Sequence, residues 1–239
     1  MHRVQRNFGK SQVVRGIDFD FTAGRIYGLL GPNGAGKTTT MRLIAGLLPV
    51  SAGQITLFGN LPPGELARRR LGYMPQQLAL YGDLSCWENL LFFGRLYGVP
   101  AALLAKRCTG LLERTELLDK KNTRVSELSG GMKRRVMMAS VLAHDPDLVM
   151  LDEPTAGVDP ALRVRFWAWY RELADQGKTI LVTTHHIAEA SRCDEVIFLR
   201  AGTVLAAATP EHLLARYGGQ DLEAAFLRAT GDPIERHDV

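Results

Sequence analysis

The sequence predicts an α/β fold: a core of mainly parallel sheet, an antiparallel β layer and an inserted α-helical subdomain. Three observations carry that expectation. The runs Arg25–Leu30, Leu148–Leu151 and Thr179–Thr184 are almost continuously apolar, as strands buried on both faces of a parallel sheet must be. Each of them ends in residues that carry chemistry: a glycine loop from Gly31, the pair Asp152-Glu153, and His185-His186. Between about 84 and 143 the pattern is helical throughout, which interrupts the succession of strands.

Taken in order, Ile17–Phe21 alternates apolar and polar residues and predicts a half-buried antiparallel strand. Ala23-Gly24 turns into the strand Arg25–Leu30, and Thr39–Ala45 follows as a helix with Met41, Leu43 and Ile44 apolar. Pro49–Gly53 reads as a turn, Gln54–Phe58 as a short strand, Glu65–Arg70 as a short basic helix and Leu71–Gln76 as a strand running into a loop. The loop from Leu78 to Trp87 is rich in bulky apolar groups, which suit either the core or a groove for a partner helix. Ser85-Cys86-Trp87-Glu88 has the spacing of a capping box and opens a helix to Tyr97, ended by Gly98-Val99-Pro100. A helix over Ala101–Arg114 turns Leu103, Leu104, Leu111 and Leu112 to its apolar side. The helix after Leu128-Ser129-Gly130-Gly131-Met132 runs through Ala143 with Val136, Met137, Ser140 and Val141 inward. Glu195–Leu199 and Thr203–Ala206 form a hairpin about Arg200-Ala201-Gly202. Helices over Pro210–Tyr217 and Leu222–Ala229 follow, with a loose tail from Thr230. The expected division is one domain over 1–218, with the helical subdomain inserted in it, and a short C-terminal helix and tail over 219–239.

Composition narrows the function classes. Hydrophobic content of 46% and charged content of 23% are those of a globular chain that buries a core. The net charge of +4 is modest, and the dense basic clusters Arg68-Arg69-Arg70 and Lys133-Arg134-Arg135 read as solvated helix faces before they read as sites for membrane headgroups or nucleic acid. No apolar run approaches the ~18 residues that span a bilayer, and Met1–Arg6 is too polar to begin a signal peptide. Cys86, Cys108 and Cys193 are odd in number and lack CxxC spacing, which suits small buried hydrophobes in a reducing cytosol.

The chemistry centres on Gly31-Pro32-Asn33-Gly34-Ala35-Gly36-Lys37-Thr38-Thr39, which has the phosphate-loop spacing. Gly31, Gly34 and Gly36 free the backbone for positive φ, so that its N–H groups can curl around phosphate oxygens. Lys37 can reach the β- and γ-phosphates, and the Thr38 hydroxyl is a hard donor suited to Mg²⁺. The following helix N-terminus adds partial positive charge. A Ser and two glycines at 129–131 open a second helix in the same way, a second anion-binding surface or a simple Ser N-cap. Asp152 and Glu153 stand at the C-terminal edge of the sheet, where one acid can hold Mg²⁺ through water and the other can position an attacking water. Gln76 can bridge metal-bound water and phosphate or be an ordinary loop residue, and His185 can bond a γ-phosphate or be structural. Phe8 can stack on adenine or sit in the antiparallel core.

With those motifs in this order, the chain resembles the ATP-binding-cassette (ABC) ATPase family over nearly its whole length. The phosphate loop is Gly31–Thr38, Gln76 is in the Q-loop position and Leu128-Ser129-Gly130-Gly131 is the signature. Leu148–Glu153 matches the Walker B strand, Asp159 the D-loop position and His185 the switch histidine. The stretches Tyr81-Gly82-Asp83-Leu84 and Leu222–Leu227 look like bacterial drug and antibiotic exporters. The resemblance implies a RecA-like P-loop NTPase core that binds ATP and Mg²⁺ and hydrolyses ATP. Phe8 and residues 31–39 would hold nucleotide, Thr38, Gln76 and Asp152 the metal and water, Glu153 would be the base and His185 the γ-phosphate sensor. Ser129, Gly130, Gly131 and Asp159 would face a nucleotide across a homodimer or heterodimer of cassettes. A separate transmembrane permease would dock near Gln76–Trp87, making the chain cytoplasmic and peripheral on the inner face of the membrane. The other class in the family, soluble members working on ribosomes or DNA, usually has two cassettes in one chain or a long inserted coiled coil. This sequence has one cassette and no sustained heptads between Lys37 and Leu128, so no nucleic-acid partner is expected. Departures from the family pattern are Met132 for a common Gln, Ala156-Gly157-Val158-Asp159 for the commoner Ser-Ala-Leu-Asp, and only seven residues before Phe8, where relatives usually have a full strand.

Overall fold

In the computed structural model, residues 1–59 and 61–231 are described. The chain runs β1 (His2–Phe8), β2 (Ser11–Ile17), β3 (Ile26–Leu30), α1 (Lys37–Ile44), β4 (Ala52–Gln54), α2 (Glu65–Arg68) and β5 (Leu71–Met74). It continues with α3 (Cys86–Leu96), α4 (Ala101–Arg114), α5 (Gly130–Leu142), β6 (Leu148–Asp152), α6 (Pro160–Asp175) and β7 (Thr179–Thr184). The last elements are α7 (Ile187–Ala190), β8 (Glu195–Arg200), β9 (Thr203–Ala208), α8 (Pro210–Tyr217) and α9 (Leu222–Thr230).

The main sheet has six strands in the order β5-β6-β7-β3-β8-β9, parallel except for the β8–β9 hairpin. β3, β6 and β7 are buried along their whole length, their apolar runs broken by Asp152 at the end of β6 and by Thr179, Thr183 and Thr184 in β7. A second, antiparallel sheet has the order β2-β1-β4. One apolar core, with Tyr27, Met41, Leu43 and Ile44, joins it and α1 to the main sheet. A second core, with Phe166, Tyr170, Val182 and Phe198, lies on the other side under α6, α8 and α9. The helical insertion has its own core, with Leu90, Leu104, Cys108, Leu112 and Val136.

Several expectations are corrected. The antiparallel strand is Ser11–Ile17 rather than Ile17–Phe21, and a full strand His2–Phe8 precedes it. Beyond Ile17 the regular ladder is interrupted at Asp18, which accepts from the Arg3 N–H at 2.9 Å, and one more pair follows, in which Phe19 and Met1 exchange backbone hydrogen bonds at 2.8 and 3.1 Å. Phe19, Phe21 and Tyr27 meet edge to face. Ile17, Phe19 and Phe21 turn inward while Asp18 and Asp20 stay exposed, so the alternation is borne out although the regular strand ends at Ile17. The short strand pairs at Ala52–Gln54 rather than over Gln54–Phe58, because β1 offers its partners there. Leu103 is exposed, so α4 buries Leu104 and Leu112 instead. Arg69 and Arg70 stay on an exposed face as expected, Arg70 pairing there with Asp147 at 2.6 Å, whereas half-buried Arg135 is a tether that donates to the Thr115 carbonyl at 3.1 Å. Helix α6 has no counterpart among the sequence expectations. Its signals are an Asp159 N-cap, Pro160 at the first turn, and Leu162, Phe166, Tyr170 and Leu173 at helical spacing. The expected capping box at Ser85 is formed: Glu88 N–H donates to Ser85 Oγ, and Ser85 N–H donates to the Glu88 carboxylate. The tail expected to be loose lies, beyond Gly231, outside the described residues.

Candidate active site

The phosphate-loop residues leave β3 and enter α1, so the loop sits at the C-terminal edge of the main sheet. Its glycines are there for different reasons. Gly34 and Gly36 have φ of +79° and +105°, the left-handed region, and Gly36 caps α1. Gly31 has no positive φ; a Cβ there would lie 2.2 Å from the Leu199 carbonyl oxygen, so it is close approach that demands glycine. Lys37 is buried, and its Nζ donates to the carbonyls of Gly31 at 2.6 Å and Pro32 at 3.1 Å. Burial pulls its pKa below the ordinary lysine value, with the carboxylates of Glu153 and Asp152 acting in the opposite sense. A desolvated ammonium at a helix N-terminus is well placed to meet an incoming phosphate. Thr38 and Thr39 follow it, half-buried, and Pro32 and Asn33 are exposed at the loop's tip, with Ala35 turned into the core.

Asp152 ends β6 opposite Thr183 of β7. Its Oδ1 accepts from Thr183 Oγ1 at 2.5 Å, while its Oδ2 is buried without a hydrogen-bond partner among the described residues. An open carboxylate oxygen in a buried position costs free energy unless a polar group fills it. A hard divalent cation with its water suits that oxygen in donor chemistry, and the Thr38 hydroxyl is a further oxygen donor of the right kind.

Glu153 follows at φ +51°, a left-handed conformation that costs a non-glycine residue about 1–3 kcal/mol. Its N–H is held by Thr183, at 3.0 Å to Oγ1 and 3.2 Å to the carbonyl. Its carboxylate receives Gln76 Nε2 at 3.1 Å on one oxygen and faces His185 Nδ1 at 3.3 Å on the other. Gln76, Glu153 and His185, each from the end of a different strand, are thereby brought together.

Other candidates stand apart. Phe8 is 44% exposed, which excludes the core reading, and the Arg6 guanidinium lies 4.5 Å from its ring centre. Its strand partner β2 reaches the loop, where the Val13 carbonyl would touch a Cβ on Gly36 at 3.1 Å. Ser129 is the exposed N-cap of α5, accepting from the Met132 N–H at 3.3 Å. Gly130 and Gly131 open that helix, and a Cβ on Gly131 would lie 3.0 Å from the Gly157 carbonyl oxygen. Among the described residues, no hydrogen bond joins Ser129, Gly130 or Gly131 to residues 31–39, Asp152, Glu153 or His185. Asp159 caps α6 through the Leu162 N–H at 2.9 Å.

Three supporting groups escaped the sequence reading. Thr183 holds both acids, and a polar residue inside an otherwise apolar strand was its only signal. Buried Glu189 accepts from Thr155 at 2.5 Å and from Thr184 at 2.7 Å, tying the segment after Glu153 to the one before His185. Arg134 donates to the Glu153 carbonyl, and its position in a basic triplet gave no hint of that.

The profile of the ABC transporter family matches residues 14–156. The Nod factor export ATP-binding protein I of Ralstonia nicotianae is 44% identical over 226 residues, 93% of this chain and 70% of that one. The linearmycin resistance ATP-binding protein of Bacillus subtilis is 37% identical over 222 residues, 92% of this chain and 71% of that one. Among solved structures, an ATP-binding subunit of an ABC transporter superposes with a TM-score of 0.88 at 29% identity, covering 96% of this chain and 98% of its own. The protein cbiO1 of Clostridium perfringens, part of the ABC transporter complex cbiONQ, gives a TM-score of 0.78 at 28% identity, covering 91% of this chain and 90% of its own. The chain belongs to the ABC transporter family, as a subunit that binds and hydrolyses ATP.

Proposed function

We propose that this chain powers export through a separate membrane permease, and that two cassettes must meet to complete each ATP site. The observation that carries the two-cassette part is Gly130. It has no positive φ, and a Cβ added there would meet nothing within 4 Å. Nothing in the chain itself asks for glycine at that exposed helix start, so the space it leaves suits something from outside. A phosphate held by a second cassette fits the exposed N–H groups and the Ser129 hydroxyl. Asp159, at the exposed start of α6, would face the same partner.

In this reading the loop 31–39 binds the phosphates, Lys37 neutralises them and Phe8 stacks on adenine. Thr38, Asp152 and Gln76 would hold Mg²⁺ or its water, and the ion would neutralise charge that develops on the phosphate oxygens. Glu153 takes the proton from the attacking water, with Gln76 and His185 fixing its two oxygens. His185 then turns toward the γ-phosphate as it enters. The exposed aromatics Tyr81 and Phe92, whose centroids are 4.7 Å apart, and Leu96 offer the permease an apolar dock beside Gln76. No helix among the described residues is long and apolar enough to cross a membrane, so the substrate path belongs to that partner. The relatives named for export support the direction of transport, and the chain would then sit on the inner face of the membrane.

Glu153→Gln tests this. The variant is expected to keep ATP affinity, to lose about 10²- to 10⁴-fold in turnover, and to accumulate an ATP-bound dimer seen by light scattering. Near-normal turnover removes Glu153 from its role; an ATP-loaded monomer at all concentrations sinks the two-cassette site.

A further inference from the structure

Helix α5 belongs to two bodies at once. Val136, Ala139 and Ala143 pack in the core of the helical insertion, while Met137, Met138, Val141 and Leu142 pack in the core of the main domain. Its first turn carries Ser129–Gly131. About 7.5 Å further along the axis, at 1.5 Å per residue, the half-buried Arg134 turns back to the chain's own reaction centre. Its Nη1 donates to the Glu153 carbonyl and its Nη2 reaches the Gln76 carbonyl at 3.4 Å. One planar fork thus spans the backbones of two residues far apart in sequence, whose side chains are themselves bonded at 3.1 Å. A lysine ammonium can donate to two carbonyls, as Lys37 does, but only from one nitrogen; it has no planar fork to fix two carbonyls from separate nitrogens as Nη1 and Nη2 do here.

We propose that Arg134 is a positioning residue that links the two composite ATP sites. This rests on the two-cassette reading above. When the N-terminus of α5 engages the partner's nucleotide, the helix carries Arg134 with it. The guanidinium then sets the carbonyls of Glu153 and Gln76 and, through them, the carboxylate and amide of this chain's own site. Glu153 is susceptible to such a pull because its backbone already sits in the left-handed region, at φ +51°. Occupancy of one site is thereby reported to the other through a single helix, and neither nucleotide touches Arg134.

The test compares Arg134→Ala and Arg134→Lys with the parent chain, alone and in the Glu153→Gln background. The readouts are the affinity for a fluorescent ATP analogue, the melting temperature, ATP-driven dimerisation, kcat, KM and the Hill coefficient for ATP. The expected result is ATP affinity within about 2-fold, dimerisation retained in the Glu153→Gln background, and kcat lowered roughly 10- to 100-fold, the scale of a base displaced by about 1 Å. KM stays nearly constant, the Hill coefficient falls toward 1, and Arg134→Lys does not restore it. Unchanged kcat and Hill coefficient in Arg134→Ala overturn the proposal, as does full rescue by Lys. A fall in kcat that merely tracks lost ATP affinity and a lowered melting temperature also overturns it, since that is packing alone. The Glu153→Gln single variant separates the two ideas. If it forms no ATP dimer, the two-cassette site fails and the transmission fails with it; if it dimerises while Arg134→Ala turns over normally, only Arg134 is wrong.

Discussion

Two helix N-termini in this molecule use the same chemistry and are built differently. At α1, the Gly36 cap lies at φ +105°, Gly31 touches the Leu199 carbonyl, and Lys37 is buried and bonded to two carbonyls. At α5, the Ser129 cap is exposed, Gly130 has open space around it, and neither glycine has a positive φ. The first set of glycines is required by the chain's own fold. Gly130 is not, although glycine weakens a helix by up to ~1 kcal/mol relative to alanine. The difference teaches that a residue can be costly to its own fold and empty of local purpose when its partner lies in another molecule.

That contrast can be broken most sharply at Gly130. Gly130→Leu is expected to hold or slightly raise the melting temperature, to leave the ATP affinity of the isolated chain unchanged, and to lower turnover by on the order of 100-fold through lost pairing of cassettes, a penalty of about 2.7 kcal/mol. Turnover within two-fold of the parent, at about the same protein concentration, would show that nothing approaches this helix start. Gly36→Ala should do the reverse. A Cβ at φ +105°, 3.1 Å from the Val13 carbonyl oxygen, is expected to cost about 1–2 kcal/mol of folding stability in urea titrations and to weaken ATP binding. An unaltered midpoint would mean that the loop tolerates an L side chain.

A smaller effect concerns the residue just past the other end of α5. His144 stacks on Tyr97 at 3.9 Å, and its Nε2 lies 3.2 Å from the Leu71 carbonyl, between the helical insertion and the sheet. Burial pushes its pKa down to about 4, while an unfolded histidine titrates near 6.5. Between those values the unfolded chain binds the proton and the native one does not, so stability falls as pH drops from about 6.5 to about 4. The expected loss is about 1 kcal/mol between pH 7 and 5.5, read from urea midpoints, and it should flatten in His144→Phe. If the pH slope is the same in both chains, His144 is not the group responsible. A loss that also lowers ATPase turnover would tie the anchored end of α5 to the active site.

How much was legible in the sequence differs between elements for physical reasons. β6 and β7 were readable because a strand buried on both faces carries an apolar run, here Leu148–Leu151 and Ile180–Val182, and α3 because its capping box is a local device. β1 and α6 were not read. β1 carries charged and polar residues on an edge-like sheet, so its alternation is faint. The apolar positions of α6 are interleaved with Arg163, Arg165 and Arg171, which reach acids elsewhere, Arg163 and Arg171 at 3.6 and 2.8 Å. In the candidate site, the spacing of Gly31–Thr39 and the pair Asp152-Glu153 stood out locally. The roles of Thr183, Glu189 and Arg134 did not, because each is defined by a hydrogen bond to a residue distant along the chain.

The sequence by itself determined the class of machine. A glycine loop between a buried strand and a helix, acids at the end of another buried strand, and a Ser-Gly-Gly helix start are each local patterns, and it is their occurrence together and in this order that points to the family. Only the tertiary structure decided which groups share the candidate site: Gln76, Glu153 and His185 meet because parallel strands β5, β6 and β7 stand side by side and end at the same edge. It also decided that Ser129–Gly131 stands apart from that centre, while Arg134 on the same helix reaches into it. Local patterns follow from short-range sterics and periodicity; convergence follows from strand order and register, which depend on the whole chain at once.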